Sequence, residues 1–281
     1  MRVGILYICT GAYTVFWPDF FQSFQQNFLP GVEKTYYVFT DADHIDQEDD
    51  PAVRRIYQKA YDWPYSTLKR FAVFLSAEEE LRSCDYLFFA NANLLCTKTV
   101  TPADVLPRPE KGEDLVVACH LSYWHKKPIF LPYDRNPRCR AYMPYNAGQV
   151  YVAGGFNGGT ARAFLWLCHT LNDRTEADLA DGVIAQWHDE SQLNRLVAEQ
   201  PGRFRVLDPG YCTPEDLDSP FETHLLVRQK SKWINVGAIK HNQGPKRSLV
   251  RRKWEAACEN YLPYLLCARD TLLGRKVESG Q

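Results

Sequence analysis

The stretch Asp85-Tyr86-Leu87-Phe88-Phe89-Ala90-Asn91-Ala92-Asn93-Leu94-Leu95-Cys96 constrains the fold of this chain more than any other. A short apolar run that breaks at two amides one residue apart, then turns apolar again, reads as a buried strand with a polar tip. Ligands of open α/β sheets bind at the carboxyl ends of buried strands, so Asn91 and Asn93 are expected to point into a crevice rather than into the core. Taken alone, Asn-Ala-Asn fits a turn better, because Asn is a common turn residue. The surrounding chain shifts that balance.

Before this stretch, apolar strands and helical patterns alternate. Val3 to Thr10 reads as a buried strand and Phe16 to Phe28 as an aromatic-rich helix closed by Pro30-Gly31. Tyr36 to Thr40 is a second strand, and a short one follows around Arg54 to Gln58. Pro64 starts a helix predicted to run to about Ser83, with Leu68, Phe71, Phe74, Leu75 and Leu81 inward. After the pivot, Leu115 to Cys119 is a strand leading to His120, and residues 121–149 form a Pro-, Tyr- and Arg-rich irregular segment of the binding-loop kind. Val150 to Ala153 runs into a double-glycine loop from Gly154 to Gly159, and Thr160 can cap a helix over Ala161 to Leu171. A helix from about Val183 to Glu199 stops at Pro201-Gly202, before a last strand at Phe204 to Leu207. The expected class is α/β, with a doubly wound, mostly parallel sheet in a single domain.

A chain of 281 residues, 45% apolar, can bury such a core. Its net charge of −1 implies no nucleic-acid partner. Nine cysteines without a C-x-x-C pair point to a reducing compartment. The apolar run Met1 to Ile8 is too short for a signal peptide or a membrane span, so a cytoplasmic location is expected.

Four clusters fall at strand ends or helix starts: Asn91/Asn93, the glycine loop, Trp187-His188-Asp189-Glu190-Ser191, and Lys69-Arg70. The glycine loop has neither the P-loop nor the dinucleotide spacing; its glycines would let a ligand approach the backbone, or simply make a tight turn. Adjacent carboxylates do not share a helix face, so Asp189 and Glu190 should serve different partners. That suits a sugar site, with one carboxylate for hydroxyls, one near the reacting carbon, and Trp187 to stack on a ring. It equally suits a charged first turn favoured by the helix dipole. His188 and Gln192 at i, i+4 make a poor metal pair, because Gln is a weak ligand.

Taken in order, Tyr36-Tyr37-Val38-Phe39-Thr40-Asp41, Asp85-Tyr86-Leu87, Tyr133-Asp134-Arg135, Ala141-Tyr142-Met143-Pro144, Tyr151-Val152-Ala153-Gly154-Gly155-Phe156-Asn157-Gly158-Gly159 and Trp187-His188-Asp189-Glu190-Ser191-Gln192-Leu193-Asn194 resemble glycosyltransferase family 6. That family includes the histo-blood-group A and B transferases and the mammalian α-1,3-galactosyltransferase. The resemblance implies a GT-A fold over residues 1–240 and a retaining transfer of galactose or N-acetylgalactosamine from UDP to the 3-hydroxyl of a terminal galactoside. By position it assigns Glu190 as the catalytic carboxylate. It assigns Asp189 and Arg70 to the donor sugar, and Ile8, Thr10 and Tyr13 to uridine. Trp187 and His120, with Glu190, fall to the acceptor, and Ala153, Gly154 and Gly155 to donor selection.

The departure lies at the pivot. Most of the family holds Mn²⁺ with Asp-x-Asp, and here the motif is Asn91-Ala92-Asn93. Neutral amides are weak ligands for a hard cation, so catalysis without a metal is expected, with Asn91 and Asn93 on the donor. Lys230, Lys232 or Lys240 would offset the diphosphate charge. The triplet Ala153-Gly154-Gly155 resembles members that use N-acetylgalactosamine, which makes UDP-GalNAc the expected donor and UDP-galactose the alternative. The expected acceptor is an oligosaccharide ending in a fucosylated, H-type galactoside. Residues 241–281 form a basic tail: from Lys240 to Gln281 nine Lys/Arg stand against four Asp/Glu. The tail either docks on the body or attaches to an anionic inner-membrane surface. Without a transmembrane stem, the chain is expected to be a bacterial or phage enzyme of surface glycans. A rival class is a glycan- or nucleotide-binding protein that has lost its metal and its activity.

Overall fold

The computed structural model, which describes residues 1–239 and 262–277, begins with strand β1 (Arg2–Ile8). Val3, Ile5 and Tyr7 of β1 line one core and Leu6 lines another, the period of two expected of a strand buried on both faces. Helix α1 (Trp17–Asn27) covers the first face with Trp17, Phe20, Phe21 and Phe24. Lys34 closes the helix from strand β2 (Glu33–Thr40), its ammonium donating to the Phe28 carbonyl at 2.7 Å and the Gln25 carbonyl at 3.1 Å. Strand β3 (Val53–Tyr57) follows.

The helix predicted over residues 64–83 is three short helices: α2 (Tyr65–Leu68), α3 (Arg70–Leu75) and α4 (Glu78–Leu81). Leu68, Arg70 and Phe71 are all buried. The helical pattern is interrupted at Lys69 (φ −89°, ψ 8°), between α2 and α3. Strand β4 (Tyr86–Ala90) is the pivot. A turn at residues 91–93 leads to β5 (Leu94–Cys96), helix α5 (Pro102–Val105) and β6 (Leu115–Cys119). Residues 121–149 are irregular apart from two 3₁₀ turns.

The double-glycine segment is not a loop. It is the nine-residue strand β7 (Val152–Thr160), inserted antiparallel between β4 and β6. Glycine masks the strand signal, and packing explains the glycine: a Cβ at Gly158 would lie 2.4 Å from the Phe88 ring and 2.6 Å from the Leu87 carbonyl oxygen. Helix α6 (Ala161–Ala180) outruns its predicted end because Thr175 and Asp178 are also buried. Helix α7 (Asp189–Glu199) starts later than predicted. Val183 and Ala185 pack with Cys139 and Ala141, and the Gln186 amide donates to Asp134 at 2.7 Å, so residues 183–188 belong to the irregular segment's packing.

Strand β8 (Phe204–Leu207) completes a seven-stranded sheet of order β3-β2-β1-β4-β7-β6-β8, in which β7 alone runs antiparallel. Strands β9 (Thr213–Pro214) and β10 (Leu225–Val227) join β5 in a second, three-stranded sheet. The order reverses between β1 and β4, which opens a crevice at their carboxyl ends. Because β7 is antiparallel, its first residues meet that same edge: the Asn91 amide donates to the Gly155 carbonyl at 2.9 Å, and the His120 amide to the Tyr151 carbonyl at 2.9 Å.

Residues 262–272 are helical and rest on the irregular segment. Asp270 is buried and accepts from the Tyr145 amide at 2.9 Å, while Tyr264 meets the Phe130 ring edge-on at 5.3 Å. Residues 240–261, with Lys240 and most of the basic cluster, lie outside the described residues. Among the described residues, no helix is long and apolar enough to cross a membrane.

Candidate active site

The crevice is built around one buried cation. Arg70 stacks on the Phe89 ring at 4.3 Å and pairs with Asp189, donating from the same nitrogen to the Gly154 carbonyl at 3.0 Å; its other terminal nitrogen donates to Asn91 Oδ1 at 3.4 Å. It therefore joins α3, β7, α7 and the end of β4.

The two adjacent carboxylates of α7 diverge as their helix spacing requires. Asp189 is buried on Arg70. Glu190, which keeps some exposure, accepts from the Tyr151 hydroxyl at 2.8 Å and from the Gly154 amide at 2.7 Å. The Gly154 peptide thus holds Glu190 through its N–H and Arg70 through its carbonyl. A Cβ at Gly154 would come within 3.2 Å of Glu190 Cβ, so the helix can approach this closely only over glycine. Burial raises the Asp189 pKa from 3.8 to about 6, Arg70 opposing it and Glu190 adding to it. Burial raises Glu190 too, against its hydrogen bonds and Arg70.

The rest of the motif fixes α7. Ser191 Oγ accepts from the Trp187 amide at 2.9 Å, and Gln192 donates to the buried Asp178 at 2.7 Å. Asn194 exchanges two 2.9 Å bonds with the Val152 backbone, in place of a neighbouring strand. His188 turns the chain at φ 54°, a conformation costly for a side-chain-bearing residue. It shares a 3.0 Å hydrogen bond with Thr67, and the Trp63 ring meets it edge-on at 5.3 Å. Trp187 is exposed beside it.

His120 ends β6. Its Nδ1 accepts from the Ser122 amide at 3.2 Å, its ring lies 4.9 Å from Tyr123 and 6.0 Å from Tyr151, and burial lowers its pKa, favouring neutral imidazole. Tyr151 therefore connects His120 to Glu190. Beside this turn, Leu121, Trp124, His125, Leu217 and Asp218 line an open cleft of about 480 Å³.

The remaining predicted residues separate. Ile8 ends β1 and Thr10 and Tyr13 lie in the turn after it, the Thr10 carbonyl accepting from the Tyr13 amide at 3.2 Å. Lys230 stands 5.2 Å over the Tyr13 ring, whereas Lys232 pairs with Glu215 at 2.8 Å on the surface. Asn91 borders the crevice and Asn93 does not: it is 1% exposed and donates to the Arg228 carbonyl at 2.6 Å. Ala153 and Gly155 sit at the start of β7, and a Cβ at Gly155 would lie 3.2 Å from both Asn91 Nδ2 and Cys212 Sγ. Sequence reasoning gave no role to Tyr151, Asn194 or Cys212. A tyrosine opening a buried strand was the one available signal.

The sequence model of glycosyltransferase family 6 matches residues 1–240. The chain is similar to the O-antigen biosynthesis glycosyltransferase WbnI of Escherichia coli, at 33% identity over 240 residues, 85% of this chain and 100% of that protein. It is 29% identical over 237 residues to globoside alpha-1,3-N-acetylgalactosaminyltransferase 1 of Gallus gallus, covering 80% of this chain and 66% of the relative. It is 28% identical over 228 residues to histo-blood group ABO system transferase 2 of Rattus norvegicus, covering 76% and 64%. The chain thus spans about two thirds of the length of these animal relatives.

Proposed function

This chain belongs to glycosyltransferase family 6, and we propose that it moves N-acetylgalactosamine from UDP-GalNAc, with retention and in α-1,3 linkage, onto a terminal galactoside of the fucosylated H type without using a metal. It is a hexosyltransferase with a GT-A-like α/β fold, using a nucleotide-sugar donor and a glycan acceptor. The observation that supports the proposed role of Glu190 in a retaining transfer is the network Asp189–Arg70–Gly154–Glu190 at the carboxyl edge of β4. It fixes one carboxylate on a cation and leaves the other, held only by neutral donors, for the reacting carbon. A covalent glycosyl intermediate and a front-side attack both need Glu190 in this role.

The residues at the pivot do not suit a divalent cation. Asn91 Oδ1 faces the Arg70 guanidinium, Asn93 gives its NH₂ to the Arg228 carbonyl and leaves one buried oxygen without a hydrogen-bond partner among the described residues, and neither amide brings the negative charge a hard cation needs. In the proposed chemistry Lys230, beside the Tyr13 ring that would flank uridine, offsets the diphosphate as it leaves. His120, Trp187 and the cleft beside Trp124 would receive the acceptor. The cleft carries no Lys or Arg, which suits neutral sugars.

UDP release should be measured with UDP-GalNAc and with UDP-galactose, each with 2′-fucosyllactose, with and without EDTA. Turnover of UDP-GalNAc that survives EDTA is expected. Gly155→Ala should shift preference towards galactose, since a methyl there takes up space at the start of β7, 3.2 Å from Asn91 Nδ2 and Cys212 Sγ, that the glycine leaves open. A strict Mn²⁺ requirement would remove the metal-free part, and unchanged selectivity would remove Gly155 from donor choice. UDP binding without turnover on any galactoside would favour a binding protein.

The tail is proposed to touch an anionic inner-membrane surface from the cytoplasm. Its basic residues are joined by Leu262, Leu265, Leu272 and Leu273, all exposed on the docked helix and the turn after it. The full chain should pellet with anionic liposomes, and Leu272→Asp/Leu273→Asp should weaken this. Equal pelleting of both would exclude these leucines from membrane contact.

A further inference from the structure

We infer that Asn93 is a positioning residue: it clamps the basic segment 228–232 to the tip of β4, and this is why an amide rather than a carboxylate stands there. The inference rests on the metal-free reading above and adds a reason for the second half of Asn-x-Asn.

The clamp has two points. The Asn93 carbonyl accepts from the Arg228 amide at 2.8 Å, and Asn93 Nδ2 donates to the Arg228 carbonyl at 2.6 Å. The pair continues the antiparallel ladder of β5 and β10, in which Leu94 faces Val227. The amide orientation is fixed, since the flipped one would set two oxygens against each other. Beyond the clamp, the Arg228 guanidinium is anchored by Asp19 at 2.7 Å and lies 4.9 Å from each of the Phe16 and Trp233 rings. The chain emerging from these fixed points carries Lys230 over the Tyr13 ring.

An aspartate at 93 cannot donate. Its carboxylate would oppose the Arg228 carbonyl in a site 1% exposed, and the segment would have to move away. A change from Asp to Asn here therefore removes an anionic metal ligand and creates a donor that holds the substitute cation. Asn91, which faces Arg70, has no part in this clamp.

UDP affinity should be measured by calorimetry at low and high salt for Asn93→Asp, Asn93→Ala, Lys230→Ala and the double variants, with melting temperatures alongside. Lys230→Ala reads the metal-free cation directly, and about a tenfold loss is expected at low salt. Asn93→Asp and Asn93→Ala should each lose a similar factor. Each double variant should lose little more than the single ones, with a flatter salt dependence and no recovery in Mn²⁺. Asn93→Ala adds no charge and keeps the test sound if Asn93→Asp folds poorly. Additive losses, native affinity in both Asn93 variants, or rescue of Asn93→Asp by Mn²⁺ would overturn the clamp. A Lys230→Ala protein with native UDP affinity would instead overturn the cation reading on which the clamp depends.

Discussion

Glu190→Gln is expected to lower turnover by about a thousandfold or more while UDP affinity stays at the wild-type value. The amide matches the carboxylate in size and can still accept from the Gly154 amide at Oε1 while its NH₂ group donates to the Tyr151 oxygen, so both contacts of Glu190 have a substitute. What disappears is negative charge at the proposed reacting face. Folding should not suffer. Burial raises the Glu190 pKa, so holding a negative charge there costs the folded state more than it costs the unfolded chain. A neutral isostere should melt at or above the wild-type temperature. Single-turnover rates with saturating donor, read beside UDP titration and a melt, separate these effects. A variant with ordinary turnover would remove Glu190 from the chemistry.

The sheet was legible because period and apolarity are local signals. Strands at Leu115–Cys119 and Phe204–Leu207 fall where their sequences place them, and the crevice follows from strand order. The errors sit where long-range contacts override local preference. Gly154-Gly155-Phe156-Asn157-Gly158-Gly159 has the composition of a turn and the conformation of a central strand, because neighbouring strands approach its bare backbone. Val183 to His188 has helical spacing, yet it is held open by the Asp134 contact and by packing of Val183 and Ala185 on Cys139 and Ala141. Asn91 and Asn93 look equivalent in sequence. One faces Arg70 and the other Arg228, and only the fold distinguishes them. The motif from Trp187 to Asn194 was readable as a unit, but the duties of Ser191, Gln192 and Asn194 depend on partners 4, 14 and 42 residues away.

Arg70→Ala should be the most destabilising of the site substitutions, and its cost should grow with pH. Removing one partner of a buried ion pair costs about 3–5 kcal/mol, because the other charge stays buried. Arg70 is 9% exposed and Asp189 5%, so water cannot replace the lost contact. The Asp189 pKa, raised by burial from 3.8 to about 6, sets the pH dependence. A carboxyl whose folded pKa exceeds its unfolded one favours the native state below the unfolded value, and that contribution fades as pH rises through the folded one. Arg70 limits the effect by pulling Asp189 down, so its removal raises the folded pKa further and enlarges the loss. At pH 4–5 both proteins hold Asp189 largely neutral and should differ least. At pH 8 the variant alone carries an unpaired charge, and the gap should reach its full size. Turnover of the wild type should have an acid limb near pH 6, where Arg70 loses its anionic partner. Urea melts of both proteins at pH 5 and pH 8 test this. A stability difference independent of pH would mean that Arg70 acts through the Phe89 ring and the Gly154 carbonyl, and not through Asp189.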